Sequence, residues 1–266
     1  MIKEIGIIGN DLRINYLRKL YKEGGYEVFE DYKYSNNVIA PIPFTRDDVY
    51  INGTNIKIQQ FLNYIKEVRN KEDICIFTGA IKDNIVKMFE ENNIKYYDLL
   101  KFEDVAVLSN IPTAEGAIYT AMEKTNITIC GSKCLVLGYG RIGKILSKML
   151  NGIGSKVYVA ARKASDLAYI ESMGYNNIYI NSLDKHLNKF DYIFNTVPSN
   201  ILSNEMLDTL KKEVCIIDLA TLKCCDYDYA KTKDINITHA LALPSKIAPL
   251  SAAIYLKNKI DELLEI

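Results

Sequence analysis

Three glycines in the run Gly138-Tyr139-Gly140-Arg141-Ile142-Gly143 offer chemistry through the backbone rather than through side chains. The run follows the apolar stretch Cys134 to Leu137 and opens an amphipathic stretch, Ile142 to Leu150. A strand-turn-helix of this kind is the setting in which Gly-x-Gly-x-x-Gly binds a dinucleotide. Gly138 permits the tight turn, Gly140 lets the backbone approach a pyrophosphate, and Gly143 lets helix and sheet pack closely. The N–H groups at the helix start, around Arg141 and Ile142, then hold the diphosphate. The next strand, Lys156 to Ala160, ends without the carboxylate that usually binds an adenosine ribose. It runs instead into Ala161-Arg162-Lys163-Ala164-Ser165. Two cations and a hydroxyl suit a 2′-phosphate, so NADP is the expected cofactor, bound in part by Arg162, Lys163 and Ser165. Further on, Asn195-Thr196-Val197-Pro198-Ser199 leaves another strand at the same sheet edge, which places Thr196, Val197 and Pro198 on the nicotinamide side.

Other polar residues carry weaker signals. Asp218 ends a strand and reads better as the cap of the following turn than as a substrate ligand. Cys75, Cys134 and Cys215 lie inside apolar strands, where a thiol behaves as a small hydrophobe. Cys224-Cys225 could form a redox or metal pair, but no second Cys/His cluster stands near it in sequence, and no metal site is expected. Of the two histidines, His186 reads as solvated, and His239, at the end of a strand, is the one placed to act as an acid or base.

The elements that position these residues follow from alternation. After residue 128 the strands Lys133 to Gly138, Lys156 to Ala160, Ile178 to Ile180, Asp191 to Phe194, Val214 to Asp218 and Ile235 to Thr238 alternate with helical stretches. That pattern requires a parallel sheet covered on both faces. The N-terminal half alternates more loosely, with strands at Ile5 to Gly9, Asn37 to Ala40 and Ile74 to Phe77. The expected fold is α/β: a doubly wound Rossmann domain, 128–246, plus a flavodoxin-like domain, 1–108, completed by a C-terminal helix, 247–266. A bridging helix, 109–127, has Pro112 in its first turn. Balanced charge, 33 basic against 33 acidic residues, gives no electrostatic case for nucleic acid or a membrane surface, so a small molecule is the expected ligand. The apolar start is too short for a signal peptide, and the thiols suit a reducing cytoplasm.

The run Asn110-Ile111-Pro112-Thr113-Ala114-Glu115-Gly116, with the glycine motif, Ala161-Arg162, Asn195 to Ser199 and Asp218-Leu219-Ala220, resembles the dipicolinate synthase A-subunit family. Ile7 to Asp11 with Arg13, and Ile76 to Gly79, extend the resemblance into the N-terminal half. It implies an NADP-linked oxidation, in sporulation, of the dihydrodipicolinate pathway product to pyridine-2,6-dicarboxylate. It also implies a flavoprotein-like second subunit, while the expected assembly of the chain itself is a homo-oligomer. A dicarboxylate needs cationic or hydroxyl partners: Arg13, Thr78 and Gly79 on one side, Ser199, Ser245 and Lys246 on the other, with Thr113 and Glu115 as catalytic candidates. Two stretches depart from the family pattern. Thr221 to Cys225 stands where the family has Ser-x-Pro-Gly-Gly, and Ser245 and Ala253 replace glycines. These changes keep open a dehydrogenase of another hydroxy or keto acid, and a cofactor-binding subunit without turnover of its own.

Overall fold

The computed structural model describes residues 3–68 and 74–264. Residues 1–2 of the expected first domain and 265–266 of the expected last helix lie outside the described residues. The chain divides into two compact units, Met1–Ser109 with Ala248–Ile266, and Asn110–Ile247.

In the first unit β1 (Glu4–Ile7) leads into α1 (Leu12–Glu23), β2 (Glu27–Phe29), β3 (Asn37–Ile39), α2 (Ile58–Val68), β4 (Cys75–Thr78), α3 (Asp83–Glu91) and β5 (Lys95–Asp98). The strands pair in the order β2-β1-β3-β4-β5, all parallel. β4 is buried along its whole length, as a central strand covered on both faces must be. The short, polar outer strands β2 and β5 carry no run of buried apolar residues and stand at the two edges.

α4 (Glu103–Glu123) contains the division between the units. The expected helix at 109–127 with Pro112 in its first turn is corrected here: the helix starts at Glu103, and Pro112 lies inside it. Glu103 and Asp104 complement the positive end of the helix dipole at the true start. Pro112 forgoes one backbone hydrogen bond, a cost of about 3 kcal/mol. Burial of Val105 and Ala106 before it and of Ala114, Ala117, Ile118 and Ala121 after it holds both halves helical.

The second unit continues with β6 (Lys133–Leu137), α5 (Arg141–Gly152), β7 (Lys156–Ala161), α6 (Ala164–Ser172), β8 (Asn176–Tyr179), β9 (Tyr192–Asn195), α7 (Asn204–Leu207), β10 (Cys215–Asp218), α8 (Tyr227–Thr232), β11 (Asn236–His239) and α9 (Leu243–Ile247). Its strands lie in the order β11-β10-β9-β6-β7-β8, again all parallel. This is the doubly wound dinucleotide-binding order, with its reversal between β6 and β9. Leu135, Val136, Leu137, Ile193, Phe194, Ile216 and Ile217 are fully buried and supply the core under the helices. The last helix, α10 (Pro249–Leu264), belongs to the first unit, where Ala253, Leu256 and Ile260 share a core with Ile14, Leu17 and Tyr21 of α1. No helix among the described residues is long and apolar enough to cross a membrane.

Candidate functional site

The carboxyl ends of β6 and β9 diverge at the reversal of strand order, and there the second unit opens a groove of about 850 Å³. Gly138, Gly140, Arg141 and Ile142 line it from the β6–α5 turn. The three glycines do different work. Gly138 has φ +96°, and a β-carbon there would meet Thr196 Oγ1 at 2.6 Å. A β-carbon on Gly143 would lie 2.2 Å from the Gly138 carbonyl oxygen, so that position keeps helix and turn in contact. At Gly140 a β-carbon would meet nothing within 4 Å: the backbone there faces open groove. Gly140 is also the N-cap of α5 and supplies no side-chain cap. The positive end of a twelve-residue helix thus faces the groove, which fits a diphosphate.

At the end of β7 the groove is lined by Ala161, Arg162 and Lys163. Both cationic side chains are exposed, and neither makes an ion pair or side-chain hydrogen bond among the described residues. Ser165 is also exposed, but it lies outside the lining. Asp166, one residue further into α6, takes that place. Tyr139 lines the groove nearby, and burial, followed by Tyr175 and Asp166, raises its phenol above the usual range.

On the opposite wall Thr196, Val197, Pro198 and Ser199 follow β9. Thr196 Oγ1 donates to the Leu137 carbonyl at 2.8 Å, which ties this wall to the end of β6. The fully buried Asn195 brackets Val197: its Oδ1 accepts from Val197 N at 3.0 Å and its Nδ2 donates to Val197 O at 3.0 Å. Asn195 Nδ2 also donates to Asp218 Oδ1 at 2.8 Å. Asp218 is itself fully buried and accepts from Ala220 N, Cys224 N and the Tyr227 hydroxyl. Its carboxylate is spent on holding the loop after β10, as the reading of a capping residue requires.

The remaining candidates lie elsewhere. Cys224 and Cys225 are buried, 4.0 Å apart at sulfur, with the Cys224 thiol pushed up by its neighbour, by burial and by Asp218. His239 Nε2 lies 2.7 Å from the Ala220 carbonyl, and its ring packs edge-on against Tyr227. Ser245 donates to the Ala242 carbonyl, Lys246 is on α9, and neither lines the groove. Thr113 and Glu115, expected just after Pro112 near the start of the bridging helix, stand in the interior of α4. Asn110 on the same helix reaches the groove lining.

In the first unit Arg13 Nη2 donates to Asp11 Oδ2 and to the Ile42 carbonyl, both at 2.7 Å. Thr78 and Gly79 are corrected as substrate contacts. Thr78 is fully buried with its hydroxyl donating to the Pro41 carbonyl at 2.6 Å, and Gly79 is buried against Ile42 and Leu100. A strand end in a doubly wound sheet faces solvent only where the next loop leaves it uncovered, and here residues 41–44 cover it.

Asn110, Tyr139, Asp166 and Ile180 line the groove without having been singled out from sequence. Tyr139 and Asp166 had a usable signal, since one sits inside the glycine motif and the other in the first turn of α6. Asn110 opens the run that carries the family resemblance, whereas Ile180 arrives through tertiary packing and carries no local mark.

Comparison with known proteins identifies the family and the fold. Residues 109–228 match the family model of the D-isomer specific 2-hydroxyacid dehydrogenase, NAD binding domain. The dipicolinate synthase A-subunit of Bacillus subtilis (strain 168) is 30% identical over 286 residues, covering 98% of this chain and 95% of the relative. The crystal structure of the dipicolinate synthase A-subunit from Bacillus halodurans superposes with a TM-score of 0.87 at 25% identity, covering 98% of this chain and 97% of the other. D-lactate dehydrogenase from Escherichia coli, at 16% identity and a TM-score of 0.65 over 98% of this chain and 97% of that one, shares the fold.

Proposed function

The chain belongs to the dipicolinate synthase A-subunit family, and from that premise we propose that it is an NADP-dependent oxidoreductase forming pyridine-2,6-dicarboxylate from the dihydrodipicolinate pathway product. The supporting observation is the groove wall at the end of β7. Ala161 stands there in place of a carboxylate, and Arg162 and Lys163 offer two unpaired cations for a 2′-phosphate.

Converting the dihydro ring to a pyridine releases one hydride and one proton. Hydride acceptance is the chemistry a bound nicotinamide supplies. The chain's own part is positioning. Gly138, Gly140 and the uncapped start of α5 hold the diphosphate, and Gly143 keeps that helix at the required distance. Asn195 fixes Val197 from both sides, so the wall beside the nicotinamide is rigid before any ligand arrives. Ser199, exposed on that wall, is the substrate contact of this unit. Thr113 lies about one turn along α4 from Asn110 and shares its face, which favours it as the catalytic residue. Glu115 is rotated by about 140° from Asn110 and is set aside. Arg13 is charge-paired with Asp11 and serves to order the first unit's sheet edge. A flavoprotein-like second subunit completes the proposed enzyme, in keeping with a relative named as one subunit of a synthase.

Titration of the purified protein with NADPH and NADH, followed by nicotinamide fluorescence, tests the cofactor. NADPH is expected to bind at least about tenfold more tightly, and Arg162→Ala to erase most of that ratio; equal affinities in the unaltered protein would remove NADP. The reaction is tested by supplying the second subunit together with a dihydrodipicolinate-forming enzyme and following pyridine-2,6-dicarboxylate absorbance. No product at any subunit ratio would overturn it.

A further inference from the structure

The first unit has its own reversal of strand order, between β1 and β3, and in an open parallel sheet ligands bind beyond the carboxyl ends at such a point. The chain leaving β3 does not turn directly into α2. It runs through residues 40–57 first, and that segment is built rather than loose. Phe44 and Ile51 are fully buried in the unit's core. Asn52 N donates to the Phe44 carbonyl, Ile51 N to Ile56 O, and Ile58 N to Val49 O. Tyr50 and Lys57 form an antiparallel bridge. The tip returns to β1: a β-carbon on Gly53 would lie 3.7 Å from Asn10 N, in the turn between β1 and α1.

This loop forms an open cavity of about 300 Å³ lined by Arg46, Asp47, Tyr50, Asn52 and Asn55 among others, with Arg46, Asp47, Tyr50 and Asn55 exposed. The Arg46 guanidinium, the Tyr50 hydroxyl and both amide side chains have no hydrogen-bond or ion-pair partner among the described residues. The nearby charges are already committed. Asp47 turns its carboxylate onto the Tyr50 and Val49 N–H groups, which hold it below the usual carboxylate range, and Lys82 pairs with Asp48 at 2.9 Å. Arg13 pairs with Asp11 and donates to the Ile42 carbonyl, at the root of this same loop.

We propose that this cavity is a carboxylate-binding site, with Arg46 taking a carboxylate of a small planar acid, Asn52, Asn55 and Tyr50 hydrogen-bonding around it, and Arg13 positioning the loop. The guanidinium fork matches a carboxylate in two parallel hydrogen bonds, amide and phenol donors stand beside it, and the one carboxylate in the lining, Asp47, is already held by the Val49 and Tyr50 N–H groups. The assignment rests on the dicarboxylate reading proposed above.

Isothermal titration with pyridine-2,6-dicarboxylate as the probe, alongside NADPH titration of the same samples, tests it. Binding to the unaltered protein, weakened about tenfold or more by Arg46→Ala and partly restored by Arg46→Lys, is the expected result, with NADPH affinity the same in all three. Equal probe affinity in Arg46→Ala overturns the Arg46 assignment and leaves the dicarboxylate reading standing. No probe binding to an unaltered protein that still binds NADPH overturns the dicarboxylate reading and this assignment together.

Discussion

The two units place a helix start at the same topological position and finish it in opposite ways. In the first, α1 follows β1 and is capped by Asp11, whose Oδ1 accepts from Ile14 N at 3.0 Å while its Oδ2 neutralises Arg13. In the second, α5 follows β6 and begins at Gly140 with no side-chain cap and open space in front of it. One helix carries its own anion; the other is left for an anion from outside. Fold alone does not make a phosphate site, since both sheets are doubly wound. What decides is whether the N-cap residue fills the place that the ligand would take.

The contrast can be broken most severely at Gly143. Gly143→Ala puts a methyl group 2.2 Å from the Gly138 carbonyl, and the turn must shift. A loss of about 3 kcal/mol of stability, at the upper end of overpacking costs, is expected, with NADPH binding reduced more than about tenfold. Chemical denaturation and fluorescence titration check both, and unchanged affinity would mean that close packing is not what holds this site.

A smaller effect concerns the frame under the groove. Burial raises the Asp191 carboxyl, but its bonds with Lys211 and with Lys133 N outweigh that, leaving it below its ordinary value. A carboxyl depressed in the folded state stabilises above its unfolded pKa, and that contribution is lost as pH falls through the folded one. Asp191→Asn should therefore cost about 1 to 2 kcal/mol at about pH 7, discounted for the half-buried Lys211, and nothing once both carboxyl pKa values are passed in acid. Urea unfolding at about pH 7 and about pH 2.5 measures the difference; a cost that persists in acid would point to packing instead.

Asp11→Ala tests the other helix start. Loss of the cap should cost about 1 kcal/mol and leave the Arg13 guanidinium with the Ile42 carbonyl alone, with no change in NADPH affinity. Thermal melting with cofactor titration reads both quantities, and a cofactor effect would contradict the separate roles given to the two starts. The smallest change is expected at Asp166, the carboxylate that shares the groove lining with Arg162 and Lys163. Asp166→Asn should tighten NADPH a few-fold by removing a repulsive charge, about 0.5 to 1 kcal/mol. Weaker NADPH binding would show instead that Asp166 orients the two cations.

What the sequence made legible was local. The glycine motif declares its structure within six residues, and the apolar runs at Cys134 to Leu137 and Cys215 to Ile217 mark buried parallel strands by composition. β2 and β5 were missed because Glu27-Val28-Phe29 and Lys95-Tyr96-Tyr97-Asp98 are short edge strands, whose pairing is fixed by the neighbouring strand and not by their own pattern. Pro112 misled in the other direction, since a proline is a better signal of a helix start than of a helix interior, and tertiary burial on both sides overrode it. Thr78 was misread for a related reason: a hydroxyl at a strand end looks available until the loop that covers it, and the carbonyl of Pro41 that accepts its hydrogen bond, are known. The segment 43–57 gave no periodic signal, because its order comes from an Asx turn at Asp47 and from two buried plugs, Phe44 and Ile51.

The return of α10 to the first unit has a consequence for the order in which the protein is made. Every residue of the second unit leaves the ribosome before Pro249, so that unit is covalently complete while the first still lacks a helix. The face of α1 that carries Ile14, Leu17 and Tyr21 meets Ala253, Leu256 and Ile260 only after the whole second unit has been made. The first unit is therefore completed after the second, and the groove of the second can form before it.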